Sequence, residues 1–110
     1  MSPTDKPVVW LHGVVTSPPF SKQPRIEAGY LLRRLQAGQQ VGMPHSRSLP
    51  GVARRCHELR VVDRGVTWRI VYRIDPDAIV ILEVFAKKTP QTPRAVIEAC
   101  RERLKEYDDA

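Results

Sequence analysis

Residues 56–86, CHELRVVDRGVTWRIVYRIDPDAIVILEVFA, contain three runs rich in β-branched and aromatic side chains, CHELRVV, VTWRIVYRI and AIVILEVFA. Between them stand Asp63-Arg64-Gly65 and Asp75-Pro76-Asp77, both strong turn formers. Connections this short join antiparallel neighbours, so the segment reads as a three-stranded meander. In the middle run Trp68, Ile70, Tyr72 and Ile74 alternate with Arg69, Val71 and Arg73, which makes one face apolar and the other basic. A slip of one residue would mix the faces, so polarity selects the pairing. Arg60 falls opposite Arg69, Leu59 opposite Ile70 and His57 opposite Tyr72. In the second hairpin Val80 falls opposite Ile74 and Val84 opposite Ile70. This register gathers Arg60, Arg69, Arg73, Glu83, Phe85 and Lys87 on the face away from the helix. Like charges facing each other across strands cost a few tenths to about 1 kcal/mol per pair, so the Arg60–Arg69 pair is expected to have a use.

Outward from the meander, PVVWL at residues 7–11 is a short strand, and the prolines of VVTSPPF interrupt regular structure after it. From Ser21 the period becomes helical. Ile26, Tyr30, Leu31 and Leu35 recur at spacings of three and four, Ser21 offers a cap and Gly38 a stop, so a helix is predicted over 21–37. Residues 39–55 show no sustained period and form a loop, either a solvated connector or part of a site to which Arg47, Arg54 and Arg55 add positive charge. A second helix runs from Pro93 to about Tyr107 with Thr92 as its N-cap and Val96, Ile97, Cys100 and Leu104 on one stripe. The order is β-α-β-β-β-α, an α+β fold built around the antiparallel meander with two helices, expected to form one domain over 1–110.

The chain carries 18 Lys and Arg against 12 Asp and Glu, and 13 of the 18 are arginine, whose planar fork matches phosphate oxygens. A polyanion, nucleic acid before membrane lipid, is the expected partner. Cys56 and Cys100 are far apart without a CxxC pair, so neither a zinc site, another metal nor a disulfide framework is expected, and no cofactor. No run approaches the roughly 18 apolar residues of a membrane span, and the start of the chain lacks a long apolar leader, so a cytoplasmic location away from membranes is expected. In EVFAKKTPQTP, residues 83–93, an apolar strand ends in Lys87 and Lys88, as if its last residues left the core for a cationic cleft. Phe85, among the arginines, either stacks on a base or packs under the last helix.

HELRVVDRGVTWRIVYRI followed by VFAKKTPQTPRAVIEACRERLKEY resembles the phage-derived, HigB-like branch of the RelE/ParE toxin superfamily of bacterial toxin-antitoxin pairs. An ELR strand, an aromatic-Arg-x-x-Tyr strand, an F-x-K-K-T strand end and a T-P helix start recur there in this order, and KPVVWL and AGYLLRRLQAG fit as well. The resemblance implies a RelE-like fold, a small curved antiparallel sheet with helices packed on it. It also implies a ribosome-dependent endoribonuclease that cleaves mRNA and is neutralised by a cognate antitoxin, often a helix-turn-helix protein, in a hetero-oligomer. On that basis Arg69 is expected to hold the scissile phosphate, Lys87 and Lys88 to balance developing charge, and Arg60 to clamp the RNA backbone. Arg73, Phe85, Arg54 and Arg55 are expected to add RNA contacts. Some relatives carry a tyrosine near the start of the last helix, where this chain has TPQTPRAV without one. The candidates for acid-base work are therefore His57, next to the ELR segment but on the Tyr72 side away from Arg69, where a structural role is the plainer one; His45, if the long loop folds inward; and Glu83, for which an ion pair with Arg73 or Arg69 is the plainer role. A gyrase-poisoning toxin of the ParE type and a basic docking module are the alternatives.

Overall fold

The computed structural model describes residues 5–11, 20–87 and 90–110, and of Lys87 only the backbone. Strands β1 (Val8–Trp10), β2 (Ser46–Ser48), β3 (Cys56–Asp63), β4 (Val66–Ile74) and β5 (Ile79–Lys87) form one sheet in the order β1-β5-β4-β3-β2, with helices α1 (Lys22–Gln36) and α2 (Arg94–Asp109). The first hairpin has the expected register, with Arg60 opposite Arg69, Leu59 opposite Ile70 and His57 opposite Tyr72. Arg64 and Gly65, both at positive φ, make its tight turn, the conformation that suits the twist of flanking strands.

The second hairpin departs from strict alternation halfway along. Val84 faces Ile70 as expected, but Ile74 faces Ile79, not Val80, because the register shifts between Val71 and Tyr72 and leaves Leu82 as an extra residue on β5. A bulge of this kind inserts one residue without changing composition. The sheet is also mixed: β1 lies parallel to β5, with Val8 beside Ile79 and Trp10 beside Ile81. A third addition is β2, which pairs antiparallel with β3 inside the segment read as a loop. The hydroxyls of Ser46 and Tyr72, 2.7 Å apart, fix it to the core.

Both faces of the sheet are covered. Ala28, Leu31 and Leu35 of α1 pack with Leu59, Val61, Ile70, Tyr72, Ile79 and Ile81. On the opposite face, Cys100 and Leu104 of α2 pack with Cys56, Val71, Val80 and Leu82. The face expected to be free of helix is therefore half roofed by α2, and this changes the meaning of its charged residues. Burial pushes the Cys56 thiol up to about 11 and the Cys100 thiol up to about 12, so both are packing groups of low reactivity.

α2 is fastened at its C-terminal end by Arg73. The guanidinium donates to both oxygens of Asp75, at 2.6 and 2.8 Å, and to both oxygens of Asp108, at 2.9 and 2.7 Å. These bonds hold the Asp108 carboxyl below its usual range, and the hydroxyl and backbone N–H of Ser21 do the same for Asp63, tying the start of α1 to the β3–β4 turn. A carboxyl depressed in the fold contributes stability above its unfolded pKa of roughly 4 and loses it as pH falls through the folded value. Melting temperature should therefore hold level near neutrality and fall below about pH 4. Asp108→Asn should lower the neutral-pH melting temperature and flatten the acid limb; calorimetry at pH 3 to 7 checks this, and an unchanged limb would remove Asp108 from the account.

Candidate nucleic-acid interface

Strand pairing lays out the site as rows across the α2 side of the sheet. One row runs Arg47, Glu58, Val71, Glu83; the next runs Arg60, Arg69, Phe85; the third reaches Thr67 and Lys87. Arg103 of α2 reaches Glu83, and Thr92, just before the helix begins at Arg94, reaches Glu58, so α2 and its lead-in border the first row, with the arginine row next to it. The expected helix cap shows how this edge is fastened. Thr92 does not cap α2, which has no side-chain cap. Its hydroxyl donates instead to Oε2 of Glu58 at 2.9 Å.

Glu58 is the hub. It is 0% exposed, and its Oε1 accepts from Nη1 of Arg69 at 2.7 Å and lies 3.3 Å from Nε of Arg47. One buried carboxylate thus joins β2, β3, β4 and the segment before α2. Such a charge is tolerable only when paired and hydrogen-bonded. Arg69 is 5% exposed. Burial pushes its guanidinium below the usual arginine range; Glu58 opposes this, and Arg60 and Arg47 add to it. Arginine nonetheless stays charged in proteins. Two guanidinium groups on a single carboxylate, with Arg60 facing Arg69 in the next row, leave a surplus of positive charge suited to a phosphate group.

The predicted residues divide into two groups. Arg60, Arg69 and Phe85 share a row, and Lys87 follows at the register position opposite Thr67; the Lys87 side chain and the whole of Lys88 lie outside the described residues. Phe85 is half-buried and packs against the α2-side core, as do Val96 and Ile97, so of its two expected roles packing at the helix is the one seen. Arg73 does not join the row. It lies four residues along β4, about 13 Å at ordinary strand rise, and is buried against Asp75 and Asp108. Those two aspartates, one of them 35 residues away on α2, turn an expected RNA contact into a clamp. Arg55 lies at that same end, 3.9 Å from Asp75, with exposed Arg54 preceding it.

His57 faces the other way. Its ring stacks on Tyr72, centroids 5.4 Å apart, on the α1 side of the sheet, and burial lowers its pKa; it does not meet Arg69. Glu83 pairs with neither Arg73 nor Arg69 but accepts from Nη1 of Arg103 at 3.0 Å. His45 stands 3.6 Å from Glu27 at the α1 side. The described residues therefore assemble cations for phosphate but bring no unengaged base to Arg69. Sequence reasoning missed Glu58 and the part played by Arg47. Glu58 was within reach, since two-residue alternation from Arg60 puts it on the basic face.

Residues 19–105 match the family described as Phage derived protein Gp49-like (DUF891). No curated protein and no solved structure matches the chain.

Proposed function

The chain belongs to the phage-derived Gp49-like family, a toxin family of the RelE/HigB type, and from that premise we propose that this toxin is an mRNA endoribonuclease of the HigB-like branch acting on the ribosome. The observation that carries the reading is the arginine row itself: Arg60 and Arg69 face each other across β3 and β4, and among the described residues Glu58 pairs with Arg69 while no carboxylate pairs with Arg60. A sheet does not gain from such a pair, whereas a phosphodiester does.

In the proposed mechanism Arg69 holds the scissile phosphate and Arg60 the adjoining backbone. Lys87 and Lys88, where β5 runs out, balance charge on the pentacoordinate phosphorus and the leaving oxygen. Electrostatic stabilisation of this kind is worth roughly 10²- to 10³-fold per donor. Attack of the 2′-oxygen on phosphorus, which expels the 5′-oxygen, needs a base for the 2′-hydroxyl proton and an acid for the leaving oxygen; with Glu58 bonded to Arg69 and Thr92, and His57 on the far face, both proton transfers are assigned to groups of the ribosome and its bound water, which also orient the substrate. The free protein is accordingly a weak nuclease. Its antitoxin partner neutralises it by covering or distorting this edge.

Induced expression in a bacterial host, wild type beside a Lys87→Ala/Lys88→Ala variant, tests the proposal through growth and transcript 5′ ends. Growth arrest with new 5′ ends inside translated frames, both lost in the variant, is expected. The engagement of Glu58 and the position of His57 also favour a second reading, a non-catalytic toxin that binds gyrase. Arrest with intact transcripts and inhibited supercoiling would establish that one.

A further inference from the structure

Resting on the RNA reading above, we infer that Arg47 on β2 is a second phosphate-binding residue, the outer partner of Arg69 in one anion notch. Arg47 and Arg69 lean on the same oxygen of Glu58, at 3.3 and 2.7 Å. The Nε of each is buried without a hydrogen-bond partner among the described residues. Buried donors are seldom left unmet, and here two of them, both on cations, flank one carboxylate oxygen already engaged by Arg69. A second negative charge between them would satisfy both, and a phosphodiester oxygen has the charge and the lone pairs for it.

The two arginines differ in depth. Arg69 is 5% exposed, whereas the Arg47 side chain is 34% exposed, so its guanidinium spans the distance from the buried carboxylate to solvent. Its Nη2 also donates to the carbonyl of Pro90 at 2.9 Å, just ahead of Thr92, which fixes its direction from the side of α2. Arg47 therefore meets the RNA backbone first, and Arg69 takes the phosphate at the bottom of the notch. Glu58 is the positioning residue that sets their spacing, which explains a fully buried acid in the middle of a site for an anion. Contact through phosphate alone is independent of sequence, so Arg47 supplies affinity without codon preference.

A fluorescein-labelled ten-nucleotide single-stranded RNA with 2′-methoxy groups, which cannot be cleaved, provides the probe. Its binding is followed by anisotropy from 50 to 200 mM KCl for the wild type, Arg47→Ala, Arg47→Gln, Arg47→Lys, Arg60→Ala and, as a remote control, Lys105→Ala. Each phosphate contact on a single strand contributes about 0.7 to the slope of log K against log salt. Arg47→Ala and Arg47→Gln should each flatten the slope by about 0.7 and weaken binding by a similar factor for probes of different sequence. Arg47→Lys should keep the slope and lose part of the affinity, because it retains the charge without the fork. Lys105→Ala should match the wild type. Arg47→Gln guards against misfolding, since it still donates hydrogen bonds near Glu58. A wild-type slope in folded Arg47→Gln, with the slope of Arg60→Ala flattened, overturns the Arg47 assignment and leaves the RNA reading intact. If no arginine variant moves the slope, or the wild type does not bind, the RNA reading falls as well.

Discussion

Arg69→Ala is expected to destabilise the fold by about 3–5 kcal/mol, the usual cost of removing one partner from a buried ion pair. The reason lies in Glu58, which has 0% exposure and takes its shortest charged contact, 2.7 Å, from Arg69. With Arg69 gone, its carboxylate keeps the Thr92 hydroxyl and an off-axis Arg47 at 3.3 Å, too little to replace the lost charge. A domain stable by roughly 5–15 kcal/mol loses a large part of its margin in this way. Urea unfolding should show a much lower midpoint with an unchanged slope.

Loss of toxicity in Arg69→Ala alone would not separate a missing phosphate ligand from a missing fold. Glu58→Met/Arg69→Met removes both charges together and fills the space with apolar side chains, a replacement that is commonly neutral or stabilising. The double variant should therefore recover most of the midpoint lost in Arg69→Ala while remaining inactive. A double variant that is both stable and toxic would show Arg69 to be framework only. An Arg69→Ala protein within about 1 kcal/mol of wild type would contradict the buried pairing with Glu58.

The same pair marks how far the sequence could be read. Period-two polarity in VTWRIVYRI, with the short turn at Asp63-Arg64-Gly65, was enough to place Arg60 against Arg69, because a slip of one residue mixes the faces and the tight turn excludes longer slips. Polarity is no guide where the strand itself breaks alternation. Leu82 is an inserted residue at the end of the apolar run Ile79–Leu82, and nothing in AIVILEVFA distinguishes it from a regular strand residue, so the pairing beyond it shifted by one. β2 is three residues, Ser46–Ser48, without an apolar pattern of its own, and it exists because β3 offers an edge and Tyr72 a hydroxyl. The parallel placement of β1 likewise follows from where the rest of the sheet leaves an edge. The charged side chains were the hardest, since their roles depend on partners remote in sequence. Arg73 and Arg69 occupy equivalent positions on one face of β4, yet Asp75 and Asp108 absorb the first, while the second shares the one oxygen of Glu58 with Arg47.

Arg60 provides the sharpest separation between framework and function, because its replacement is expected to move stability and activity in opposite directions. It faces Arg69 directly across the strands, and among the described residues no carboxylate pairs with it. Relief of that repulsion should stabilise the sheet by a few tenths to about 1 kcal/mol, provided the substituent suits a strand. Arg60→Thr meets that condition through its branched β-carbon. The same change removes a cation from the place where the phosphate backbone would lie, and should lower cleavage or toxicity about 10²-fold or more. Residues kept for structure lose both properties when replaced; residues kept for function at the expense of stability trade one for the other. Urea unfolding midpoints read one axis and the inducer concentration needed for growth arrest reads the other. A raised midpoint with lost toxicity would assign Arg60 to the RNA site. A lowered midpoint with toxicity retained would return the arginine row to the framework and remove the observation on which the ribonuclease reading rests.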